Sequence, residues 1–157
     1  RFQNILGSNY SKGKQLDAVV CSNDATALGV LQAIDSDYAG DNKVLLTGQD
    51  ADEANLAKIV DGKQTMTIYK TSANEAEVAI DVGKAILNGE KPDADLIKKA
   101  NWDFSCKYDT KTYDNGKKVV PSYLLTPVVV TKDNLQKELI DTGYYKLDKK
   151  GYPKNAN

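Results

Sequence analysis

The sequence predicts an α/β fold with a parallel sheet, and three observations between Asp17 and Lys70 predict it. First, short apolar runs recur: Asp17-Ala18-Val19-Val20-Cys21, Val44-Leu45-Leu46-Thr47 and Thr65-Met66-Thr67-Ile68-Tyr69. Second, each run ends in a polar group: Ser22-Asn23-Asp24, Gly48-Gln49-Asp50 and Lys70. Third, each polar group is followed by a segment of helical period, giving a β-α-β-α-β-α rhythm. Strands separated by helices of this length imply right-handed crossovers. Open sheets of this kind bind ligands beyond the carboxyl ends of their strands. The stretch therefore reads as one wall of a binding cleft.

The remaining elements can be taken in order. Phe2, Ile5 and Leu6 share one helix face, with Gly7 as a stop signal. A chain that opens inside an amphipathic helix, with no initiator Met and no signal-peptide core, is expected to be a fragment or processed piece of a longer protein. Strand one is expected at 17–21, apolar throughout like a strand covered on both faces. The helix after it is expected over 24–35, with Ala27, Leu28, Leu31 and Ile34 along its stripe and Ser22 or Asn23 as its cap. Asp35 to Asn42 faintly resembles a calcium loop, but Ala39 and Leu46 stand at two ligand positions, so it reads as a plain turn.

Strand two is expected at 43–48. A helix over 51–61 then turns Ala54, Ala57 and Val60 inward and stops at Gly62. Strand three, 64–69, alternates: Met66 and Ile68 point one way, Thr65, Thr67 and Tyr69 the other. A third helix over 72–88 is expected to bury Ala76, Ala79, Ile80, Gly83 and Ile86/Leu87, and Gly89 ends it. Residues 93–118 have no sustained period, although Asp114-Asn115-Gly116-Lys117 is a hairpin-type turn. Val119 to Thr131 is extended and apolar but broken by Pro121 and Pro127, which suits a strand that bends or crosses between layers. Asp133-Asn134-Leu135 opens a short helix to Ile140, and the lysine-rich tail beyond Gly143 is assigned no structure.

Composition narrows the function classes. The 157 residues are 41% hydrophobic and 27% charged, enough for a real hydrophobic core. No apolar run approaches the roughly 18 residues of a membrane span. The formal net charge of −1 argues against a nucleic-acid binder or a polybasic membrane contact. With no histidine, the usual triads, histidine bases and most zinc sites are excluded. Cys21 and Cys106 are the only cysteines, and a bridge and two separate thiols both remain open. There is no GxGxxG, GxxxxGK[ST] or GxSxG, and no cofactor or metal is implied.

At the strand ends, Asn23 offers both a donor and an acceptor, Asp50 acceptors only and Lys70 donors only. That mixture suits a neutral ligand dense in hydroxyls, such as a monosaccharide, with the charge-assisted bonds the stronger ones. Plainer roles compete. An Asn or Asp between strand and helix is often a cap, Asp24 suits the helix dipole, and a lysine at a strand end is often only solvated. Trp102 and Tyr69 could stack on a sugar ring or merely pack.

Four segments together resemble the type I periplasmic sugar-binding proteins of ABC importers, nearest the xylose-binding and multiple-monosaccharide-binding branch. They are Asp17–Leu28 (DAVVCSNDATAL), Gly48–Asp52 (GQDAD), Gln64–Lys70 (QTMTIYK) and Val120–Leu135 (VPSYLLTPVVVTKDNL), with a weaker match at Gly143-Tyr144-Tyr145. The resemblance covers nearly all of this chain but only the C-terminal half of a family member. It implies two Rossmann-like, three-layer lobes joined by a three-segment hinge, with the sugar clamped between them. Residues 1–69 would then belong to the second lobe, 70–125 to part of the first, and 126–142 to the second again, leaving 143–157 as a polar tail. One lobe would be incomplete.

The resemblance further implies that Asn23, Asp50 and Lys70 bond sugar hydroxyls, with Gln49 and Asp24 as secondary candidates. It implies a transport protein rather than an enzyme, which hands xylose or a related pentose or hexose to a membrane permease. It would be periplasmic, or an extracellular lipoprotein tethered to the bacterial membrane, with no segment here inserted in the bilayer. The family's basic and aromatic ligand contacts from the other half are absent, so the isolated chain is expected to bind sugar weakly or not at all. The rivals are the effector domain of a LacI-type repressor, which shares the fold, and a sugar-modifying α/β enzyme, for which no nucleophile or acid/base pair is found.

Overall fold

The computed structural model describes residues 1–11 and 13–156. In chain order the elements are α1 (Phe2–Asn9), β1 (Ala18–Val19), α2 (Asp24–Asp37), β2 (Leu45–Leu46), α3 (Glu53–Val60), β3 (Met66–Tyr69), α4 (Ser72–Leu87), α5 (Ala94–Ala100), β4 (Cys106–Asp109), β5 (Ser122–Leu125), β6 (Val128–Thr131), a π-wound helical turn α6 (Gln136–Ile140), β7 (Tyr145–Leu147) and β8 (Pro153–Asn155). They gather into two units. The first contains Arg1–Tyr69 and Val128–Asn157, the second Lys70–Pro127.

In the first unit, β1 and β2 pair in parallel, Ala18 opposite Leu45 and Val19 opposite Leu46. Thr65 N–H donates to Leu46 O at 2.9 Å, and Ile68 N–H to Gly48 O at 3.1 Å, so β3 runs beside β2. A parallel bridge joins Gln49 to Ile68. Pro127 ends the extended run of β5, and β6 then enters antiparallel on the other side of β3, Met66 facing Thr131 and Tyr69 facing Val128. The regular ladders are shorter than the apolar runs because threonine hydroxyls take over some positions. Cys21 N–H donates to Thr47 Oγ1 at 3.1 Å and Leu46 N–H to Thr65 Oγ1 at 3.0 Å.

Apolar residues on the helices and strands close three clusters in this unit. Leu56, Ile59, Val130 and Leu139 are fully buried together, beside Ala51 and Tyr145. Ala27, Val30, Leu31 and Leu46 pack with Cys21, and Leu6, Leu16, Ala33 and Val44 form the third group. Each buried leucine contributes on the order of 2 kcal/mol against exposure. Asp35–Asn42 is held by hydrogen bonds: Leu16 N–H donates to Tyr38 Oη at 2.7 Å, and Asn42 Nδ2 to Leu16 O at 2.9 Å.

Several expectations are corrected. Helix α1 runs through Gly7 to Asn9, because Leu6 is fully buried and anchors the next turn. In α3 the buried face is Asn55, Leu56 and Ile59, while Ala54 is exposed. At about 100° per residue, a spacing of six lands Val60 about 240° round from Ala54, so the alanine pattern does not define one face. The tail beyond Gly143 forms the β7–β8 hairpin, Tyr145 opposite Asn155. Glu53 fastens it, accepting from Asn155 N–H at 2.8 Å and Lys154 Nζ at 3.0 Å.

The second unit packs α4 and α5 with the antiparallel β4–β5 pair, Cys106 opposite Leu125. Helix α5, unseen in the sequence, starts where Asp93 accepts from Asp95 N–H at 2.9 Å. The Asn-Gly turn forms as expected: Asp114 accepts from Gly116 N–H at 2.8 Å, and Gly116 takes φ +81°. The α4 face is the largest correction here. Val78 and Ala85 are buried, whereas Ile80, Ile86 and Leu87 are 56%, 59% and 87% exposed. Periodicity identifies residues that share a face but not what covers them. Cys21 and Cys106 are both free thiols, one in each unit, and burial pushes each above the usual thiol range.

Leu139→Ala should therefore destabilise by about 2–5 kcal/mol, and Ile80→Ala by within about 0.5 kcal/mol. Urea unfolding of the two variants checks the assignment; a larger loss for Ile80→Ala would contradict it.

Candidate functional site

Three chain segments of the first unit meet at the carboxyl ends of β1 and β2 and along β3. At the first, Asn23 caps α2: its Oδ1 accepts from Thr26 N–H at 3.0 Å, with Asn23 itself in extended backbone. The side chain is half-buried and its amide is fixed at the helix start. Asp24 N–H donates across to Gln49 O at 2.7 Å, tying the first segment to the second.

Behind them lies a polar network that is sealed from solvent. Asp24 is fully buried. Its Oδ2 accepts from Asp52 N–H at 2.9 Å and from Thr67 Oγ1 at 3.0 Å, and its Oδ1 from Gln64 Nε2 at 2.9 Å. Asn55 Nδ2 donates to Asp24 O at 2.9 Å and to Gln64 Oε1 at 2.8 Å. Gln64 Nε2 also donates to Met66 O at 3.1 Å. Burial pushes the Asp24 carboxyl above its ordinary range, against the hydrogen bonds from Gln64, Asp52 and Thr67, which pull it down. Gly48 is required by proximity: a Cβ there would collide with Asp24 Oδ1 and stand 2.6 Å from Gln64 Nε2.

On this network rests an unusual piece of backbone. Asp50 has φ +102° and the next residue, Ala51, φ +57°. Positive φ in non-glycine residues costs on the order of 1–3 kcal/mol each and persists only where the surroundings enforce it. The enforcing bonds are identifiable. Asp50 N–H donates to Ile68 O at 2.8 Å, Ala51 N–H to Thr67 Oγ1 at 3.2 Å, and Tyr145 Oη to Ala51 O at 2.9 Å. Ala51 is fully buried while Asp50 is exposed. The strained pair turns the chain so that the carboxylate of Asp50 faces outward at the sheet's carboxyl edge.

The structure thus brings Asn23, Gln49 and Asp50 to one edge of the first unit. Gln49 contributes mainly through its backbone, in the bridge to Ile68 and the bond from Asp24. Asp24 is corrected. Its side chain has no exposure and both oxygens are engaged within the chain, so it lies behind the sheet edge rather than on it. Lys70 is half-buried, directly follows β3 and is the first residue of the second unit. Trp102 packs within that unit. It stacks on Phe104 at 5.6 Å and donates Nε1 to Asp81 at 3.1 Å. Tyr69 lies 5.9 Å from Tyr144 and 6.2 Å from Tyr145, ring centre to ring centre.

Sequence reading missed Gln64, Thr67, Asn55 and Tyr145. A signal existed for two of them: Asn55 sits between apolar helix positions, and Thr67 is a polar residue on an inward strand face. Nothing local ties Tyr145 to this turn, since its partner Ala51 lies 94 residues away. Among the described residues no cluster of three or more Asp, Glu, Cys or His side chains could hold a metal ion.

The chain belongs to the periplasmic binding protein domain family, whose match covers residues 1–91. It is 37% identical over 151 residues to the multiple sugar-binding periplasmic receptor ChvE of Rhizobium radiobacter, covering 94% of this chain and 39% of that protein. It is 40% identical over 144 residues to the D-xylose-binding periplasmic protein of Escherichia coli K12, covering 92% and 38%. An ABC transporter solute binding protein from Clostridium phytofermentans, solved with bound β-D-glucose, superimposes with a TM-score of 0.77 at 41% identity, over 93% of this chain and 41% of that one. The fold is therefore that of type I periplasmic binding proteins, and the chain spans about two-fifths of the length of these relatives.

Two outcomes are expected of the buried network. Gly48→Ala should destabilise by about 1–3 kcal/mol in urea unfolding, since the added methyl meets Asp24 and Gln64. Asp24→Asn tests the direction of the carboxyl's shift. A carboxyl raised on folding stabilises fully below its unfolded range, and that contribution is lost as pH rises through the folded value. The stability advantage of the native protein over Asp24→Asn should therefore be widest at acid pH and shrink as pH rises through that window. An advantage that grows with pH would mean that the three donors outweigh burial.

Proposed function

We propose that this chain is part of the sugar-binding component of an ABC importer and that it contacts a monosaccharide through Asn23, Asp50 and Lys70. The observation that carries the reading is the exposed Asp50 carboxylate, presented on left-handed backbone at the carboxyl end of the sheet and beside Asn23. Energy is committed there to aim one polar group outward, as expected of a binding site. An aspartate accepts from two sugar hydroxyls, the Asn23 amide donates to another, and a lysine supplies a charge-assisted donor. Relatives of this chain are named for xylose and for multiple sugars, and two solved neighbours hold glucose. That range supports a pentose or hexose ligand.

On this reading residues 1–69 and 126–142 belong to one lobe and 70–125 to the other. The protein works by binding and release and catalyses nothing. It delivers its sugar to a membrane permease from the periplasm, or from the cell surface as a lipid-tethered protein. Lys70, directly after β3, is included as the third sugar contact on the family resemblance.

Calorimetric titration of the full-length protein with D-glucose and D-xylose tests the proposal. Asp50→Ala should fold normally and lose about 30-fold in affinity, equivalent to about 2 kcal/mol for a charge-assisted bond. Unchanged affinity would remove Asp50 from the site. Residues 1–157 alone should bind xylose, glucose, arabinose and galactose far more weakly than micromolar. Micromolar binding by the isolated chain would contradict the need for a second set of contacts.

A further inference from the structure

The β7–β8 hairpin contributes more than an extra pair of strands. Its first residue, Tyr145, is buried, and its hydroxyl donates to Ala51 O at 2.9 Å, the carbonyl between the strained pair and the start of α3. The turn has four fixed points: Asp50 N–H on Ile68 O, Ala51 N–H on Thr67 Oγ1, Asp52 N–H on Asp24 Oδ2, and Ala51 O under Tyr145 Oη. Three come from β3 or the start of α2, close to the site. The fourth comes from the far end of the chain. Elsewhere the hairpin is fastened to α3 and its exit, through Glu53 with Asn155 and Lys154, and through Tyr152 Oη donating to Asp61 at 2.9 Å.

We propose that Tyr145 is a positioning residue for ligand binding: its hydroxyl, carried on the C-terminal hairpin, holds the Asp50–Ala51 turn in the left-handed form that aims Asp50 at the ligand. The inference rests on the reading of Asp50 as a sugar contact. A backbone pair held against its own preference relaxes when one restraint is lost, and an unpaired buried carbonyl adds a reason to move. Relaxation rotates Asp50, so the effect of losing the hydroxyl reaches the ligand without Tyr145 touching it. Burial pushes the Tyr145 phenol up to about 12, so it remains a donor throughout the neutral range.

Two phenylalanine substitutions on the same hairpin separate positioning from general support. Tyr145→Phe removes the bond to the turn, and Tyr152→Phe removes a bond of equal length to Asp61. In the full-length protein, Tyr145→Phe should raise the Kd for D-glucose and D-xylose about tenfold or more, and Tyr152→Phe by less than twofold. Amide hydrogen exchange without sugar should accelerate at Ala51 and Asp52 in Tyr145→Phe, with α2 unchanged. Equal weakening by both substitutions, or no acceleration at Ala51 and Asp52, would overturn the inference. So would wild-type affinity in Tyr145→Phe alongside a damaged Asp50→Ala. If Asp50→Ala instead binds like wild type while the exchange accelerates as described, the turn restraint stands and the sugar assignment of Asp50 fails.

Discussion

The structure depends most on the fully buried carboxylate of Asp24. A buried carboxyl persists only when its oxygens have hydrogen-bond partners. Here Gln64, Thr67 and the Asp52 backbone meet them. Those donors come from Gln64 just before β3, from Thr67 within it and from the start of α3, while Asp24 opens α2, so one side chain registers three segments of the first unit. Apolar packing could hold the same elements near each other, but it is not directional. The hydrogen bonds set where each strand end stops and which backbone groups turn outward. Gly48 is part of the same constraint, because the carboxylate stands where any side chain would be.

That registry explains how an aspartate and an alanine sit in conformations that usually favour glycine. A glycine at Asp50 would adopt the turn without strain but would carry no carboxylate. The chain instead keeps a carboxylate there and enforces the backbone through Ile68, Thr67 and Tyr145. On the proposed reading, rigidity at the sheet edge has a use in recognition. A sugar's hydroxyls are distinguished by direction, and a donor or acceptor that can swing distinguishes them poorly. The order runs from a polar residue within an apolar strand, to a sealed network, to a strained turn, to an exposed carboxylate.

Much of the fold is legible in the sequence, for reasons that particular residues make plain. The apolar runs ending at Cys21, Thr47 and Tyr69 mark β1, β2 and β3, and the Asn23 cap and the Asn115-Gly116 turn form as local chemistry requires. Burial is where sequence reasoning fails. Ile80, Ile86 and Leu87 have the pattern of a core face yet are exposed, and the regular spacing of Ala54 draws attention away from Leu56 and Ile59. Asn23 and Asp50 are legible as polar groups at strand-to-helix junctions, and the structure places both at the sheet edge. Asp24 resembles a ligand contact on the same grounds, since sequence gives the type of a polar residue but not the direction it faces. Tyr145 stands in a motif the resemblance picks out, but its bond to Ala51 cannot be read from the sequence, because it spans 94 positions and no local rule connects them.

The central claim is that the polar edge formed by Asn23, Gln49 and Asp50 is where the ligand sits. The most direct measurement is a titration of the isotopically labelled full-length protein with D-glucose, followed by the amide signals of each residue. The account predicts the largest shifts at Asn23, Gln49, Asp50 and Ala51, with Lys70 moving in step and saturating at the same sugar concentration. Saturable shifts confined to another surface, with Asn23 and Asp50 unmoved, would contradict it.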